Sequence, residues 1–122
     1  MTVQEVIDRV DSVKPNDYKN QDKVAWLNEL EGRVQTEIYL KRIEEVKPLE
    51  TVGDTLCVPF PYDAMYVYYL QAMIDFQNNE YDRYENTYEV FNKKWKEFEK
   101  WYSTHYPTRG RVAFGVTEVT NK

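Results

Sequence analysis

The sequence contains few of the residues from which catalytic, metal-binding and disulfide-linked sites are built. Its 122 residues include one cysteine, one histidine, four glycines and five prolines. Cys57 alone can form no internal disulfide and no cysteine-based zinc site, which is typical of proteins in a reducing cytoplasm. Four scattered glycines cannot build a glycine-rich phosphate loop or the many tight turns of a Rossmann-type sheet.

Long hydrophobic runs and a positive net charge are also missing. No 18 consecutive residues are apolar, so we expect no transmembrane helix, and residues 1–13 alternate charged with apolar positions, unlike a signal peptide. The formal net charge of −5 argues against a broad basic surface for nucleic acid. Residues 105–122 are the exception, because they carry a local charge of +2.

Aromatic residues are abundant instead, with three Trp, eleven Tyr and five Phe. Thr2 and Glu5 have the spacing of a capping box, and apolar residues recur at helical steps to about Val13. A second helix is expected after a cap at Asn20, with an apolar seam at Leu27, Leu30, Val34 and Ile38. Gly32 lies inside that pattern, so either a neighbouring backbone approaches it closely or the helix is bent there, and we expect close packing.

Residues 41–61 interrupt the helical pattern with Pro48, Gly53, Pro59 and Pro61. The apolar positions between them are too sparse and too β-branched for another amphipathic helix. We expect an irregular excursion or a short β-hairpin here. Because loops longer than about 12–15 residues in compact domains are usually functional or disordered, this segment is the first functional candidate.

After Pro61 the pattern predicts two long helices joined by a turn at Asn78 and Asn79. The first is apolar on nearly every side, and the second carries an aromatic seam, formed by Tyr81, Tyr84, Tyr88, Phe91, Trp95, Phe98 and Tyr102. The predicted fold class is therefore all-α, a bundle of about four helices with a long antiparallel helical hairpin. Residues 1–106 form the predicted bundle domain, and residues 107–122 form an extended carboxy-terminal arm.

No arrangement of residues predicts catalysis, a metal site or a cofactor. A nucleophile needs an adjacent base, and the only histidine, His105, lies at a predicted helix end, where an exposed or capping role is expected. We interpret Cys57, between Leu56 and Val58, as a small buried hydrophobic residue. Asp63 and Asp75 are the only carboxylates in apolar surroundings, and helix capping and a position at the rim explain them more simply than a paired acid and base.

The order of these segments resembles that of small head-tail connector proteins, also called neck, adaptor or head-completion proteins, of long-tailed bacteriophages and prophages. The resemblance covers residues 1–106: a short helix, the helix with KVAWLNELEGRV, a proline-bounded segment ending in LCVPFPYD, and then YVYYLQAMIDFQNNEYDRYENTYEVFNKKWKEF. It implies a helical bundle without enzymatic activity that forms a homo-oligomeric ring between the portal protein and a tail-side neck or tail terminator protein. DNA would pass through the ring without specific binding, in the host cytoplasm during assembly and then in the virion.

The loop and the arm are the parts that this resemblance would assign to contacts with neighbouring subunits or the portal. The candidate interface residues are Leu49, Glu50, Thr51, Val52 and Asp54 in the loop, and Arg109, Arg111 and Phe114 in the arm. The alternative from the residues alone is a small helical-bundle adaptor or regulator of protein-protein contacts, without enzymatic activity. Such a protein would share the aromatic bundle but remain a monomer or dimer.

Overall fold

The computed structural model describes residues 1–106, which form a mostly helical bundle. Its four α-helices are α1 (Val3–Val13), α2 (Asn20–Arg33), α3 (Ala64–Gln77) and α4 (Tyr81–His105). A π-helical turn, Val34–Ile38, continues α2, and a single 3₁₀ turn spans Ile43–Glu45. Within the described part of the chain, the β-type pairing is one isolated bridge between Thr2 and Thr55. The described core is therefore built by helices.

The amino-terminal helix α1 begins at the capping box that its sequence predicts. Thr2 N donates to Glu5 Oε1 at 2.7 Å, and Glu5 N donates to Thr2 Oγ1 at 3.2 Å. The stripe at Val3, Val6, Ile7 and Val10 is fully buried. Val13, which was expected to extend this stripe, is instead 65% exposed because the helix ends there and leaves the core.

Helix α2 widens into the π-helical turn one residue after Arg33. No atom lies within 4 Å of a Cβ built on Gly32, so the close approach expected at that residue is wrong. The hydroxyl of Thr36 donates to the carbonyl of Gly32 at 2.9 Å, and Tyr39 N donates to Val34 O, five residues back. Gly32 therefore lies just before the point at which the α-helix changes into a π-helical turn.

Two details of helix initiation also differ from the sequence prediction. Asn20 is the first residue of α2, and its predecessor Lys19 occupies the cap position without a side-chain hydrogen bond. The third long helix starts at Ala64, three residues after Pro61, and Asp63 occupies its cap position without accepting a capping bond. Helix boundaries shift by such small amounts because several neighbouring residues can satisfy the first free amides.

Helices α3 and α4 run in opposite directions and contact each other through aromatic rings. Tyr69 packs on Phe91 with ring centroids 5.1 Å apart, and at the far end Tyr62 packs on Trp101 at 5.3 Å. Rings in these ranges contribute about 0.5–1.5 kcal/mol per pair beyond their apolar burial. Only the centre of the predicted aromatic seam is fully inside, since Tyr81 is 52% exposed.

Buried ion pairs connect α1 to the other helices. Lys14 Nζ lies 2.6 Å from Asp75 Oδ1 in α3, and Lys23 Nζ in α2 lies 2.9 Å from Asp11 Oδ1. The contact with Asp75 is an ion pair without regular hydrogen-bond geometry at Oδ1. The close contact with the Asp75 carboxylate raises the pKa of Lys14 above its usual range.

None of the helices within residues 1–106 combines the length and the apolar character that a membrane span requires.

Candidate functional site

The loop of residues 41–61 lies against the amino-terminal end of α1. Val3 N donates to Asp54 O at 3.0 Å, and Gln4 N donates to Val52 O at 2.8 Å. The first amides of a helix have no partner inside the helix. The loop carbonyls therefore accept from the free amides at the start of α1. In return, the backbone of α1 fixes one side of the loop.

A polar stripe on α2 and its π-turn, formed by Asn28, Glu31 and Gln35, fixes the other side of the loop. Asn28 Oδ1 accepts from Leu49 N at 2.7 Å. Gln35 binds both backbone groups of Lys47, donating to its carbonyl at 2.9 Å and accepting from its amide at 3.0 Å. Spacings of three and four residues place these side chains on one helix face. The loop is thus held by directional side-chain bonds to its backbone.

Glu31 is the centre of this polar stripe and is 3% exposed. Its Oε2 accepts from Cys57 N at 2.8 Å, and its Oε1 accepts from the Tyr66 hydroxyl at 2.6 Å. The Tyr66 oxygen in turn accepts from Val58 N at 3.1 Å. Burial, and then the nearby Cys57 and Glu31, raise the pKa of Tyr66 well above its usual value, so the hydroxyl remains a donor. One carboxylate therefore ties the loop, α2 and α3 together.

Cys57 belongs to the same network through its backbone. Its carbonyl accepts a hydrogen bond from the Tyr39 hydroxyl at 2.9 Å. Burial and the charge of Glu31 raise the pKa of the Cys57 thiol to about 12. Because the thiolate is the reactive form, this environment makes the thiol a poor nucleophile near neutral pH.

The outer part of the loop is a tight turn closed by Asp54. The Asp54 carboxylate accepts from Glu50 N at 2.7 Å and from Thr51 N at 3.1 Å. The Thr51 hydroxyl also donates to it at 3.2 Å. These backbone bonds, that of Glu50 first, lower the pKa of Asp54 below its usual value. The turn is therefore locally ordered even though Glu50 and Thr51 are exposed.

An open groove of about 510 Å³ separates this turn from the amino-terminal half of α2. On the helix side it is lined by Val24 and Ala25, and on the loop side by Leu49, Glu50, Thr51 and Val52. Its lining mixes these apolar side chains with polar ones, including Asn20, Gln21 and Asn28, and Glu50 is the one charged residue among all those that line it. We call this feature the loop groove.

The loop groove brings together four of the predicted interface residues, Leu49 to Val52. Asp54 does not line it but closes the turn that holds two of them, so its role is to position the turn. Arg109, Arg111 and Phe114, the arm members of the predicted interface, lie outside the described residues, as does the whole predicted arm of 107–122.

The two carboxylates considered for paired chemistry lie in separate ion pairs. Asp75 is 1% exposed and bound to Lys14, so its expected rim position is wrong. Asp63 is 6% exposed and lies 3.5 Å from the amino group of Met1. Since each carboxylate is neutralised by its own cation, the two do not form a pair around a shared cleft.

The remaining candidate for chemistry is exposed at the end of α4. His105 stacks on Trp101 with centroids 4.7 Å apart, and its Nδ1 lies 2.9 Å from the Trp101 carbonyl. No group of three or more histidine, cysteine or carboxylate side chains within residues 1–106 could hold a metal ion. The same end of the bundle exposes Phe60, which is 87% accessible.

The polar stripe is the feature that sequence reasoning missed. Asn28, Glu31 and Gln35 each follow an apolar seam residue of α2 by one position, namely Leu27, Leu30 and Val34. A polar line parallel to an apolar seam is usually solvated. Its regular spacing was visible in the sequence, but its burial against the loop was not.

No family model, curated protein or solved structure matches this chain.

Proposed function

We propose that this protein is a structural component of the head-tail junction of a long-tailed bacteriophage or prophage. Copies would form an oligomeric ring between the portal protein and a tail-side neck or tail terminator protein, and DNA would pass through the ring. In this proposal the protein acts without catalysis or a cofactor and without a membrane. It assembles in the host cytoplasm and remains in the virion.

The observation that carries the proposal is the ordered loop with an open groove beside it. Fixing the backbone of a loop costs about 1–2 kcal/mol per residue, and an assembly contact that orders a loop must offset that cost. Here Asn28, Glu31 and Gln35 already hold the loop within the subunit. A preformed surface of this kind supports repeated, identical contacts between subunits.

The charge distribution also supports a channel role. The net charge of −5 divides into +2 for residues 107–122 and −7 for residues 1–106. DNA phosphates bind basic surfaces strongly through counterion release, so a basic lining would retain the genome. An acidic body allows DNA to slide past without being held.

The direct test is electron microscopy of the full chain mixed with the portal protein of the same phage or prophage. The proposal predicts an added ring of density on the tail-facing side of the portal. The matched control is a variant in which a short Gly-Ser turn replaces residues 49–55, which should bind more weakly. Portal particles that remain unchanged at saturating protein concentration would overturn the proposal.

A second candidate, a small adaptor or regulator, is favoured by the size of the loop groove. A volume of about 510 Å³ lies within the range of sites that hold one small ligand or a few peptide side chains. Light scattering across a wide concentration range, with and without portal, separates the two functions. An adaptor remains a monomer or dimer throughout, whereas a connector forms higher oligomers when portal is present.

A further inference from the structure

The loop groove combines apolar side chains with a negative charge at its edge. Val24, Leu49 and Val52 are half-buried along it. Glu50 is exposed at its edge and takes part in no ion pair within residues 1–106. No lysine or arginine lines the groove. The complementary ligand is therefore a peptide that carries a cation next to an apolar or aromatic side chain.

The chain itself contains such a peptide outside the described residues. Residues 109–114 read RGRVAF and place two guanidinium groups within five residues of an aromatic ring. The arm of residues 107–122 carries +2, whereas residues 1–106 carry −7. Opposite net charges favour encounter between the arm and the body, and the carboxylate of Glu50 adds a local attraction for an arginine at the groove.

The geometry of the bundle favours an arm from a second copy. The described chain ends at Tyr106, which packs through Tyr102 onto Tyr39, at the carboxy-terminal end of the π-turn. Val24 lies 15 residues before Tyr39, so at about 1.5 Å per residue the groove is about 22 Å away along the axis. At least one interhelical spacing of about 8–10 Å separates them sideways.

The eight residues from Tyr106 to Phe114 span at most about 26–29 Å when fully extended. The two offsets combine to about 24 Å, so the arm would have to be almost fully extended to reach the groove of its own subunit. The same segment from a neighbouring copy has no such limit. A contact from arm to groove is heterologous, and contacts of this type generate closed rings or open filaments.

We propose that residues 109–114 of one copy bind in the loop groove of a second copy. Phe114 contacts Val24, Leu49 and Val52, and an arginine of the arm pairs with Glu50. This inference rests on the proposed function, because it names the contact through which copies would associate in the proposed ring.

Disulfide trapping in the full chain tests this contact. In a Cys57→Ser background, one batch of protein carries Ala25→Cys in the groove and another carries Gly115→Cys in the arm, which leaves Phe114 in place. After mixing and mild oxidation, the proposal predicts a disulfide-linked dimer of the two. The matched control replaces Ala25→Cys by Val90→Cys, which is partly exposed on α4, and should give at least about tenfold less dimer. Equal yields from groove and control would overturn the proposal.

A charge reversal tests the chemistry of the same contact. Glu50→Lys in the groove partner should lower the trapped dimer about tenfold, and Arg109→Glu with Arg111→Glu in the arm partner should restore it. Trapping that is indifferent to both changes would overturn the ion pair. A chain with Ala25→Cys and Gly115→Cys together that forms an intramolecular disulfide at high dilution would overturn the assignment to a second copy.

The trapping experiment and the portal experiment can fail independently of each other. An added ring on the portal with trapping at control level would contradict this contact alone. Efficient trapping without any density on the portal would support the contact and contradict the role at the head-tail junction.

Discussion

The helix pair α3–α4 and the loop of residues 41–61 are both ordered, but by different interactions. The helix pair is held by rings such as Tyr69 on Phe91, whose attraction depends mainly on buried apolar area. Hydrogen bonds between the loop backbone and the side chains of Asn28, Glu31 and Gln35 hold the loop: Asn28 and Glu31 accept from loop amides, and Gln35 donates to a loop carbonyl. The stability lost on mutating the helix pair should therefore scale with the side-chain volume that is removed. The stability lost on mutating the partners of the loop should scale with the number of buried polar groups left without a hydrogen bond.

This difference explains how a surface segment can be rigid and still available for contacts. A loop held by apolar side chains would have to bury them and leave little for a partner. Bonds to backbone groups leave side chains such as Glu50 and Thr51 exposed on an ordered turn. The loop therefore presents a fixed set of side chains on its outer turn, while Leu56 and Val58 at its other end are buried in the core.

The largest effect is predicted for a substitution in the aromatic packing between α3 and α4. Phe91→Ala removes a fully buried ring and should lower the free energy of unfolding by about 3–5 kcal/mol. Phe60→Ala is the matched control, because the same atoms are removed from a side chain that is 87% exposed, and it should cost less than about 0.5 kcal/mol. Urea unfolding followed by circular dichroism measures both. Similar losses for the two variants would show that the described core is wrong.

The next largest effect is predicted for a substitution of Glu31, the central residue of the polar stripe that holds the loop. Glu31→Ala leaves the Cys57 amide and the Tyr66 hydroxyl without their acceptor and should cost about 2–3 kcal/mol. It should also speed labelling of the Cys57 thiol by a disulfide reagent, since the loop covers that thiol. Glu29→Ala, an exposed glutamate on the same helix, is the control and should change neither quantity. Unaltered labelling in Glu31→Ala would contradict the attachment.

A smaller effect is expected at the edge of the loop groove. Asn28→Ala frees the amide of Leu49 and should cost about 1 kcal/mol while leaving the helices intact. Asn86→Ala removes the same group from an exposed position of α4 and should be neutral within measurement error. Thermal unfolding of the two variants gives the comparison. A neutral Asn28→Ala would mean that the loop does not depend on this bond.

The smallest effect concerns alkaline pH. The pKa of Cys57 is raised from 9.0 to about 12 by burial, so the folded state holds its proton more tightly than the unfolded state. The corresponding stability is complete below pH 9.0 and is lost as pH rises toward about 12. At about pH 9.5 the loss is about 1 kcal/mol, and Cys57→Ser should remove that part of the pH dependence. Identical pH profiles for wild type and Cys57→Ser would contradict the raised pKa.

The sequence patterns predicted the helical class and the capped start of α1 because these depend on local spacing. Residues such as Thr2, Glu5 and Leu27 interact with neighbours three or four positions away, and that distance is readable from the chain. The π-turn after Arg33 was not predicted, since Gly32 suggested close packing and its effect depends on the hydrogen bond from Thr36.

The interface role of the loop stays a prediction, and the way in which the loop is held was not predicted from the sequence. The length and proline content of the loop indicated Leu49 to Val52, and these residues do line one groove. The side chains that order the loop lie on α2, its π-turn and α3, up to 26 residues away in the chain from their partners in the loop. Such long-range polar contacts leave no periodic signal, so Glu31 resembles any solvated glutamate on an amphipathic helix.

The most direct test of the central claim, that the loop is a preformed surface, is amide hydrogen exchange of the full chain in solution. The amides of Lys47, Leu49, Cys57 and Val58 each donate to a side chain. The account predicts that they exchange at least about a hundredfold more slowly than unstructured peptide amides, as amides do when they open only by local unfolding. Exchange of all four at the rate of an unstructured peptide would contradict it.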